Sequence, residues 1–300
     1  MLKIAWAPIY NHPLPAGHRF PMEKYELLPR QLVHEGIVSE SNFFSPRVLT
    51  EAEILSVHTH EYWAKLNALR LTRKEERRSG FPLSSQLVRR EITINGGTIQ
   101  CAEYALKHGA AMNIAGGTHH AYADRAEGFC LLNDMAIASR YLLNRQLSKK
   151  ILIIDLDVHQ GNGTAAIFSD NQRVFTFSMH GEKNYPIPKE ISDLDISLPD
   201  GTTDDRYLNL LEDTLNHLFP TVRPDFVFFQ SGVDVLASDK LGRLGLSIKG
   251  CHERDKLVYQ KTAEYGLPIV TVMGGGYSSD IRVILEAHSN TYRAAVEHYY

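Results

Sequence analysis

The sequence predicts a three-layer α/β protein, in which a mostly parallel central sheet is covered by helices on both faces. Six continuous apolar runs resemble buried strands, and amphipathic stretches with helical periodicity separate them along the chain of 300 residues. Parallel strands need long crossover connections, which are usually helices, and strands covered on both faces are apolar throughout. No repeat or linker interrupts this alternation, so we expect a single domain over residues 1–300.

The predicted elements follow one another in a regular order. The predicted strands are 3–7, 112–117, 150–157, 173–179, 225–232 and 268–275. The predicted helices are 21–36, 84–109, 130–146, 204–219 and 250–266. Gly36, Gly109 and Gly266 stand where a left-handed C-terminal cap would end a helix. Thr50 and Glu53 have the spacing of a capping box and predict one further helix start.

Composition narrows the class of protein. The net charge is −3, which does not favour direct binding to nucleic acid or to an anionic membrane surface. Cys101, Cys130 and Cys251 show no C-x-x-C spacing, so neither a disulfide framework nor a thiolate zinc site is indicated. No secretory signal and no apolar run of ~18–20 residues is visible. We therefore expect no membrane span and a cytoplasmic protein, or a nuclear one in a eukaryote; the oligomeric state stays open.

Unusual polar residues cluster where the predicted strands end. The segment GGTHHA (116–121) follows the second strand, and DLDVHQGNG (155–163) closes the third. The segments SMH (178–180), SGVD (231–234) and GGGY (274–277) follow the next three strands. Ligand crevices of open parallel α/β sheets lie outside the carboxyl ends of the strands. The five segments are therefore expected to meet at one edge of the sheet.

Three ionisable residues behind one apolar strand indicate a metal site. Asp155, Asp157 and His159 alternate, so a strand running through them would point all three to one face. Such a group needs a counter-charge, and a metal ion is the simplest one. With Asp234, the pair Asp157 and His159 forms an N/O set that suits catalytic zinc, whose bound water has a pKa of ~7. Asp234 alone is equally well interpreted as a helix cap or turn residue.

His119, His120 and Tyr277 are candidates for proton transfer and hydrogen bonding at that site. Gly116 and Gly117 would permit an irregular loop in which both adjacent imidazoles face one site. Histidine can accept a proton from water and donate one to a leaving amine near neutral pH. Tyr277 could donate to a carbonyl opposite the metal. Considered one at a time, these residues are more simply surface histidines and a packed tyrosine.

Together the motifs resemble the zinc-dependent histone deacetylase family, within the arginase/deacetylase superfamily, over nearly the whole chain. The resemblance implies hydrolysis of an N-acyl-lysine amide in proteins or peptides, without a covalent intermediate. It implies one zinc ion bound by Asp157, His159 and Asp234. His120 would be the general base and then the general acid, and Tyr277 would stabilise the tetrahedral oxyanion.

The resemblance also implies supporting roles. His119 would be an electrostatic catalyst that Asp155 orients. The tunnel for the acyl-lysine would be lined by Gly128, Phe129 and Gly275. A structural potassium ion would be bound by main-chain oxygens around Asp155, Asp157, His159, Ser178 and Met179.

Within the family, residues 153–163 most resemble class IV, as do residues 10–25 and 239–250. Gln160 stands where many members have a second histidine, and Asn162 stands where class I members have Asp. An amide favours a neighbouring imidazolium less than a carboxylate does, so we predict a lower pKa for His120 with Asn162 than with Asp. The class IV resemblance also implies that longer fatty acyl groups are substrates alongside acetyl.

Three alternatives remain open from sequence. The superfamily also contains binuclear manganese hydrolases of the arginase type, although SGVD is followed by VLASD, without the further bridging carboxylates they need. The substrate could be an acylated small amine, such as an acetylpolyamine. A non-catalytic acyl-lysine binder is the third alternative, although every matched position is occupied.

Several other polar segments are not assigned to the site. We expect a structural or capping role for His58 and His60, and solvent exposure for His12 and His18 in their Pro-rich loop. The segment 70–80 is interpreted as a solvated helix end or loop. The DLD at 193–195 is expected to belong to an ordinary strand or loop.

Overall fold

A computed structural model describes all 300 residues and contains one eight-stranded sheet in which every neighbouring pair is parallel. The strands are β1 (Lys3–Ala5), β2 (Phe43–Phe44), β3 (Ala110–Asn113), β4 (Ile151–Asp155), β5 (Val174–Gly181), β6 (Leu194–Leu198), β7 (Phe226–Gln230) and β8 (Ile269–Val272). Their spatial order is β2-β1-β3-β8-β7-β4-β5-β6. The central strands β4 and β7 are buried at every residue, as a sheet covered on both faces requires. The predicted α/β class is confirmed.

Ten α-helices surround the sheet. They are α1 (Lys24–His34), α2 (Glu51–Leu55), α3 (His60–Asn67), α4 (Arg73–Ser79), α5 (Ser85–His108), α6 (Asp134–Asn144), α7 (Asn162–Phe168), α8 (Asp204–Val222), α9 (Ile248–Glu264) and α10 (Ile281–Tyr299). All five predicted helices are present. The Thr50 capping box is formed with Glu53, and Gly109 ends α5 with a φ of 88°. No helix has the length and apolarity that crossing a bilayer requires.

The sequence interpretation missed α7, α10 and β2. The strand β2 has two residues and is too short to show a hydrophobic pattern. The helix α10 follows the glycine-rich segment, and no glycine or proline marks its C-terminal end. The segment 193–195, left open between strand and loop, leads into β6. The charged segment 70–80 contains α4, which begins at a Thr72 capping box and ends at Gly80 with a φ of 80°.

Four strands at the middle of the sheet carry the site segments. They are adjacent in the order β3-β8-β7-β4, so four stretches distant in sequence leave the sheet at one edge. Two details differ from the prediction. The strand β4 ends at Asp155, so Asp157 and His159 lie in the turn that follows. The strand β5 continues through Gly181, so Ser178, Met179 and His180 lie within it.

Side-chain hydrogen bonds explain why β4 stops where it does. Asp155 Oδ1 accepts from the backbone N–H of Asp157 at 3.2 Å, and Asp157 Oδ1 accepts from that of His159 at 2.9 Å. Aspartate side chains that bond two residues onward favour turns over continued strand. The alternation of ionisable residues is therefore a succession of turns at the strand end.

Candidate metal centre and active site

Asp157, His159 and Asp234 form a buried cluster at the carboxyl edge of the sheet. One potential ligand atom from each lies within 4.8 Å of the other two. His159 Nδ1 is 3.1 Å from Asp157 Oδ1 and 3.1 Å from Asp234 Oδ2. Because β4 and β7 are neighbours with Asp155 paired to Gln230, the loops after them leave the sheet at the same level. Tertiary structure thus brings together three residues that span 78 positions of sequence, from 157 to 234.

The electrostatics of this cluster fit a metal ion. Burial, and then the charge of Asp157, raises the pKa of Asp234 to about 7. Burial alone would lower the pKa of His159, but hydrogen bonds and charges from both carboxylates outweigh it and raise that pKa to about 10. A positive charge between the carboxylate oxygens is therefore favoured. Two carboxylates and one imidazole are a donor set that divalent metals bind.

Loops from neighbouring strands hold the ligand carboxylates. Asp157 Oδ2 accepts from the N–H of Gly275, in the segment after β8, at 2.7 Å. Asp234 Oδ1 accepts from the N–H of Val158 at 2.9 Å. A Cβ atom at position 275 would overlap Asp234 Oδ2, so only glycine fits there. Gly275, predicted to contact substrate, lines the inner cavity and also orients a metal ligand.

His119 and His120 lie side by side, with ring centroids 4.0 Å apart, and each has a different partner. His119 Nδ1 is 2.7 Å from Asp155 Oδ2, and His120 Nδ1 is 2.6 Å from Asn162 Oδ1. The Asn162 amide nitrogen donates to the Tyr122 hydroxyl at 3.0 Å, which directs the amide oxygen to His120. An amide oxygen only accepts, so His120 Nδ1 is the donor and Nε2 carries the lone pair.

The surroundings shift the pKa values of the two imidazoles in opposite directions. Burial would lower the pKa of His119, but the adjacent carboxylates of Asp155 and Asp157 outweigh it and raise that pKa. Burial, together with the positive charges of His119 and His159, lowers the pKa of His120 far below its usual value. Groups whose environments separate their pKa values in this way can divide acid and base roles. These shifts favour the neutral form of His120, which can accept a proton, more than they favour the neutral form of His119.

An aromatic channel leads to the metal cluster. The Phe129 ring centroid lies 5.2 Å from that of Phe20, 5.3 Å from that of Phe81 and 6.1 Å from that of Tyr277. Gly128 and Phe129 both have positive φ, at 54° and 66°. A Cβ at Gly128 would lie 2.6 Å from His120 Cδ2, so this segment is packed directly against that ring.

Tyr277 lies where the channel meets the metal cluster. Its ring centroid is 6.5 Å from that of His159, and its backbone N–H donates to Asp239 Oδ2 at 2.6 Å. Burial, followed by the charges of Asp234 and Asp157, raises the pKa of the Tyr277 phenol well above its usual value. The hydroxyl therefore remains protonated and available as a hydrogen-bond donor.

The residues predicted for a potassium ion lie on two adjacent strand ends. Asp155 is paired with Ser178 across β4 and β5, and Met179 follows in β5. The carbonyl of Val158 accepts from the N–H of Gly181 at 2.9 Å, which ties the turn after β4 to the end of β5. The main-chain groups around Asp155 are thus near those of Ser178 and Met179, and the ion itself stays a prediction.

Sequence reasoning missed five residues that surround the site. Phe20 lines the aromatic channel, and Phe81 packs against it with ring centroids 5.1 Å apart. Tyr185 packs edge-on against His120, also with centroids 5.1 Å apart. Lys24 is buried and donates to the Gly274 carbonyl at 3.2 Å. Glu127 accepts from the Asn162 amide at 3.3 Å. The one available signal was that Glu127 immediately precedes Gly128 of the GFC segment.

The expectations for the remaining histidines were mixed. His12 is buried, so its predicted exposure is wrong, and His18 is half-buried against the Phe81 ring. His58 is buried and its Nε2 accepts from the N–H of Asn133 at 3.0 Å, which is the structural role expected. His60 begins α3 on the surface.

A parallel α/β sheet with a buried Asp–His–Asp metal site beside a histidine pair defines an arginase/deacetylase-type metallohydrolase. The model of the histone deacetylase domain matches residues 18–292, and the chain belongs to the histone deacetylase family. It is 44% identical over 99% of both chains to an uncharacterized protein of Picosynechococcus sp.. It is 32% identical to histone deacetylase 2 of Arabidopsis thaliana, over 92% of this chain and 74% of that one. A crystal structure of an HDAC homolog complexed with SAHA superposes with a TM-score of 0.83 at 27% identity, covering 97% of this chain and 82% of the other.

Proposed function

We propose that this protein is a zinc-dependent hydrolase of N-acyl-lysine amides in proteins or peptides, acting as a single catalytic domain. The observation that carries the proposal is the meeting of the Asp157–His159–Asp234 cluster with His120 and Tyr277 in one buried site. Zinc suits a set of one imidazole and two carboxylates that leaves a coordination position open. Its relationship to a protein named histone deacetylase 2 supports the same reaction class.

The residues of the chain can perform amide hydrolysis in a defined order. A bound zinc ion supplies Lewis acidity toward the acyl carbonyl and the attacking water. His120 Nε2 accepts the proton of that water while Asn162 holds Nδ1. His119 and the Tyr277 hydroxyl stabilise the negative charge that develops on the carbonyl oxygen. His120 then donates its proton to the departing lysine amine.

The aromatic channel supports a long, apolar substrate arm. The rings of Phe20, Phe129 and Tyr277 lie within 6.1 Å of one another, centroid to centroid. Such walls bury the methylene groups of a lysine side chain and favour it over a short polar one. Acceptance of fatty acyl groups and membership of class IV, indicated by Gln160 and Asn162, are parts of the same proposal.

One metal per chain is favoured over two. Asp157, His159 and Asp234 form the single cluster of three or more His, Cys, Asp or Glu side chains with ligand spacing. A binuclear site of the manganese type needs further carboxylates that bridge the ions, and the chain places none there. Two tightly held manganese ions per chain would contradict this assignment.

The function can be tested with purified protein loaded with zinc. Peptides that carry acetyl- to myristoyl-lysine are compared with acetylated polyamines, and metal content is measured on the same samples. We expect peptide hydrolysis with about one zinc per chain, and loss of both zinc and activity in Asp234→Ala. The matched control is Asp213→Ala, on the exposed face of α8. Absence of turnover across the panel, with zinc bound, would instead support a non-catalytic acyl-lysine binder.

A further inference from the structure

The aromatic channel opens into an outer cavity to which the proposed chemistry assigns no role. Five of its twelve lining residues also line the inner site, so the two spaces are continuous; they are His120, Gly128, Phe129, His159 and Tyr277. Of the other seven, four are cationic, namely Arg19, Arg78, Lys183 and Arg243. No aspartate or glutamate lines the outer cavity. The charged side chains that line only the outer cavity are therefore all positive.

This concentration of charge is a local property of the fold. The chain as a whole has a net charge of −3. Arg19 precedes α1, Arg78 belongs to α4, Lys183 follows β5, and Arg243 lies between β7 and α9. Four separate segments thus each place a cation at the same opening.

Acidic side chains of the protein neutralise this charge only in part. Arg19 and Arg78 are exposed and form no ion pair. Lys183 and Arg243 share one carboxylate, Asp200, at 4.0 Å and 3.3 Å. The opening therefore keeps a surplus of positive charge.

Carboxylates elsewhere around the opening have other partners. Glu127 accepts hydrogen bonds from Tyr185 and Asn162 and pairs with Arg125 at 3.2 Å. Asp239 accepts from the backbone N–H groups of Leu241, Gly242 and Tyr277. Neither side chain forms an ion pair with any of the four cations, and Glu127 is already paired with Arg125.

The cations are placed to act on a substrate that enters the channel. The Arg19 guanidinium lies 4.9 Å from the centroid of Phe129, a wall of that channel. A neighbouring groove beside Phe81 is lined by Arg73 and Arg77 and by one acid, Glu76. Charges of one sign around a cleft raise the local concentration of ligands of the opposite sign and speed their association.

We propose that the substrate presents carboxylates beside its acyl-lysine, as an acidic segment of a protein or peptide. This inference rests on the proposed hydrolysis of acyl-lysine and names its substrate class. Like charges brought together at an interface are unfavourable, so an acylated polyamine, which keeps cationic amines, is disfavoured at the same opening. The cations would recognise a carboxylate near the scissile amide. An acidic peptide segment supplies one, and so does free acyl-lysine through its α-carboxylate.

The test compares acyl-lysine peptides of equal length that carry Glu, Gln or Lys at the flanking positions. We expect kcat/KM at low salt to be about tenfold higher for the Glu peptide than for the Lys peptide. The ratio is expected to approach one near ~0.5 M NaCl, since exposed charges are screened there. Free acyl-lysine and its α-carboxamide form a second pair, with acetylated spermidine as the polyamine.

Charge-reversal variants locate the effect. In the double variant Arg19→Glu, Arg78→Glu, we expect the kcat/KM of the Glu peptide, divided by that of the Lys peptide, to fall about tenfold. Lys149→Glu is the matched control, because Lys149 is exposed just before β4, at the opposite end of the strand from the site. Its ratio is expected to equal that of the unmodified protein.

The outcomes separate the two proposals. No hydrolysis of any compound by the zinc-loaded protein would refute the function itself. Hydrolysis with equal kcat/KM for the Glu and Lys peptides, or with preference for the Lys peptide or spermidine, would overturn the acidic-substrate inference alone. Preference for free acyl-lysine over its carboxamide, without dependence on peptide flanks, would also overturn the assignment to an acidic segment.

Discussion

At the scale of single residues, Asn162 sets the state of the proposed base. Its amide oxygen accepts from His120 Nδ1 at 2.6 Å, and its amide nitrogen donates to the Tyr122 hydroxyl at 3.0 Å. The amide nitrogen also donates to the Glu127 carboxylate at 3.3 Å, and because a carboxylate only accepts, this contact directs the amide oxygen to His120. His120 is held with its Nε2 lone pair directed away from this contact.

Replacement of Asn162 by Asp is predicted to shift the acidic limb of the kcat/KM pH profile to higher pH. A carboxylate favours the imidazolium, so the pKa of His120 rises, and the base is protonated and inactive up to a higher pH. The control is Asn144→Asp, on the exposed end of α6. An acidic limb that does not move would show that Asn162 does not act on His120.

Replacement of Tyr277 by Phe tests the proposed oxyanion donor. The ring and its contacts with Phe20 and Phe129 remain, and only the hydroxyl is removed. We expect kcat to fall by ~10²–10³ with zinc content unchanged, as for loss of one oxyanion donor. Tyr265→Phe, on an exposed ring, serves as the control. Turnover close to that of the unmodified protein would leave the role of Tyr277 without support.

At the scale of elements, a buried arginine joins the helix layer to the loops that bear the metal ligands. Arg254 in α9 donates through one guanidinium nitrogen to the carbonyls of Leu156 at 3.2 Å and Gly232 at 2.5 Å. Its Nε donates to Asp255 at 2.8 Å, and Asp255 in turn accepts from Thr291 in α10 at 2.6 Å. The positions of Asp157 and Asp234 therefore depend on two helices that supply none of the candidate metal ligands.

Arg254→Lys is predicted to weaken zinc binding and to destabilise the fold. Lysine keeps the charge but lacks the planar fork that reaches both carbonyls and Asp255 together. We expect a tenfold to hundredfold loss of zinc affinity, roughly as for other residues that orient metal ligands. Unsatisfied buried carbonyls would lower the free energy of unfolding by ~1–3 kcal/mol.

The measurements are a chelator competition and urea unfolding of the metal-free protein. Arg282→Lys is the matched control, because Arg282 pairs with Asp280 on the surface, where such pairs contribute little. Zinc affinity equal to that of the unmodified protein would show that α9 does not position the ligand loops.

At the scale of the whole molecule, buried histidines make the fold sensitive to acid. Burial lowers the pKa of His58 to about 4, against smaller opposing hydrogen bonds, and burial lowers that of His180 to about 4 as well. Both groups bind a proton more readily in the unfolded chain, whose histidines titrate near pH ~6.5. The stability they contribute is fully present above that pH and is lost as pH falls toward 4.

His58→Gln is predicted to reduce the acid-induced loss of stability. Glutamine can still accept from the Asn133 N–H but does not titrate. The variant is therefore expected to keep up to ~3 kcal/mol of the free energy of unfolding that the unmodified protein loses between about pH 6.5 and 4. Free energies of unfolding in urea at several pH values measure the difference. His34→Gln, at the exposed end of α1, is the control. The prediction would be contradicted if the free energy of unfolding decreased equally on acidification in His58→Gln and in His34→Gln.

The central strands and the long helices were predictable because their signals are local. An apolar run such as 225–232 and a capped periodic stretch such as 84–109 can be recognised without knowledge of their neighbours. The exact end of β4 was missed, because hydrogen bonds from the Asp155 and Asp157 side chains compete with the sheet there. The place of Phe20 in the aromatic channel was missed because it depends on contact with Phe129, 109 positions further along the chain.

The sequence by itself determined the α/β class, the polar segments at the strand ends and the candidate metal ligands, because those depend on residue types at short spacing. Only the tertiary structure decided which strands are adjacent, since the order β3-β8-β7-β4 follows from long-range pairing. It also decided which aromatic rings form the channel and the charge of the opening. Those properties depend on distances between segments far apart in the chain, and electrostatic interactions follow distance in space.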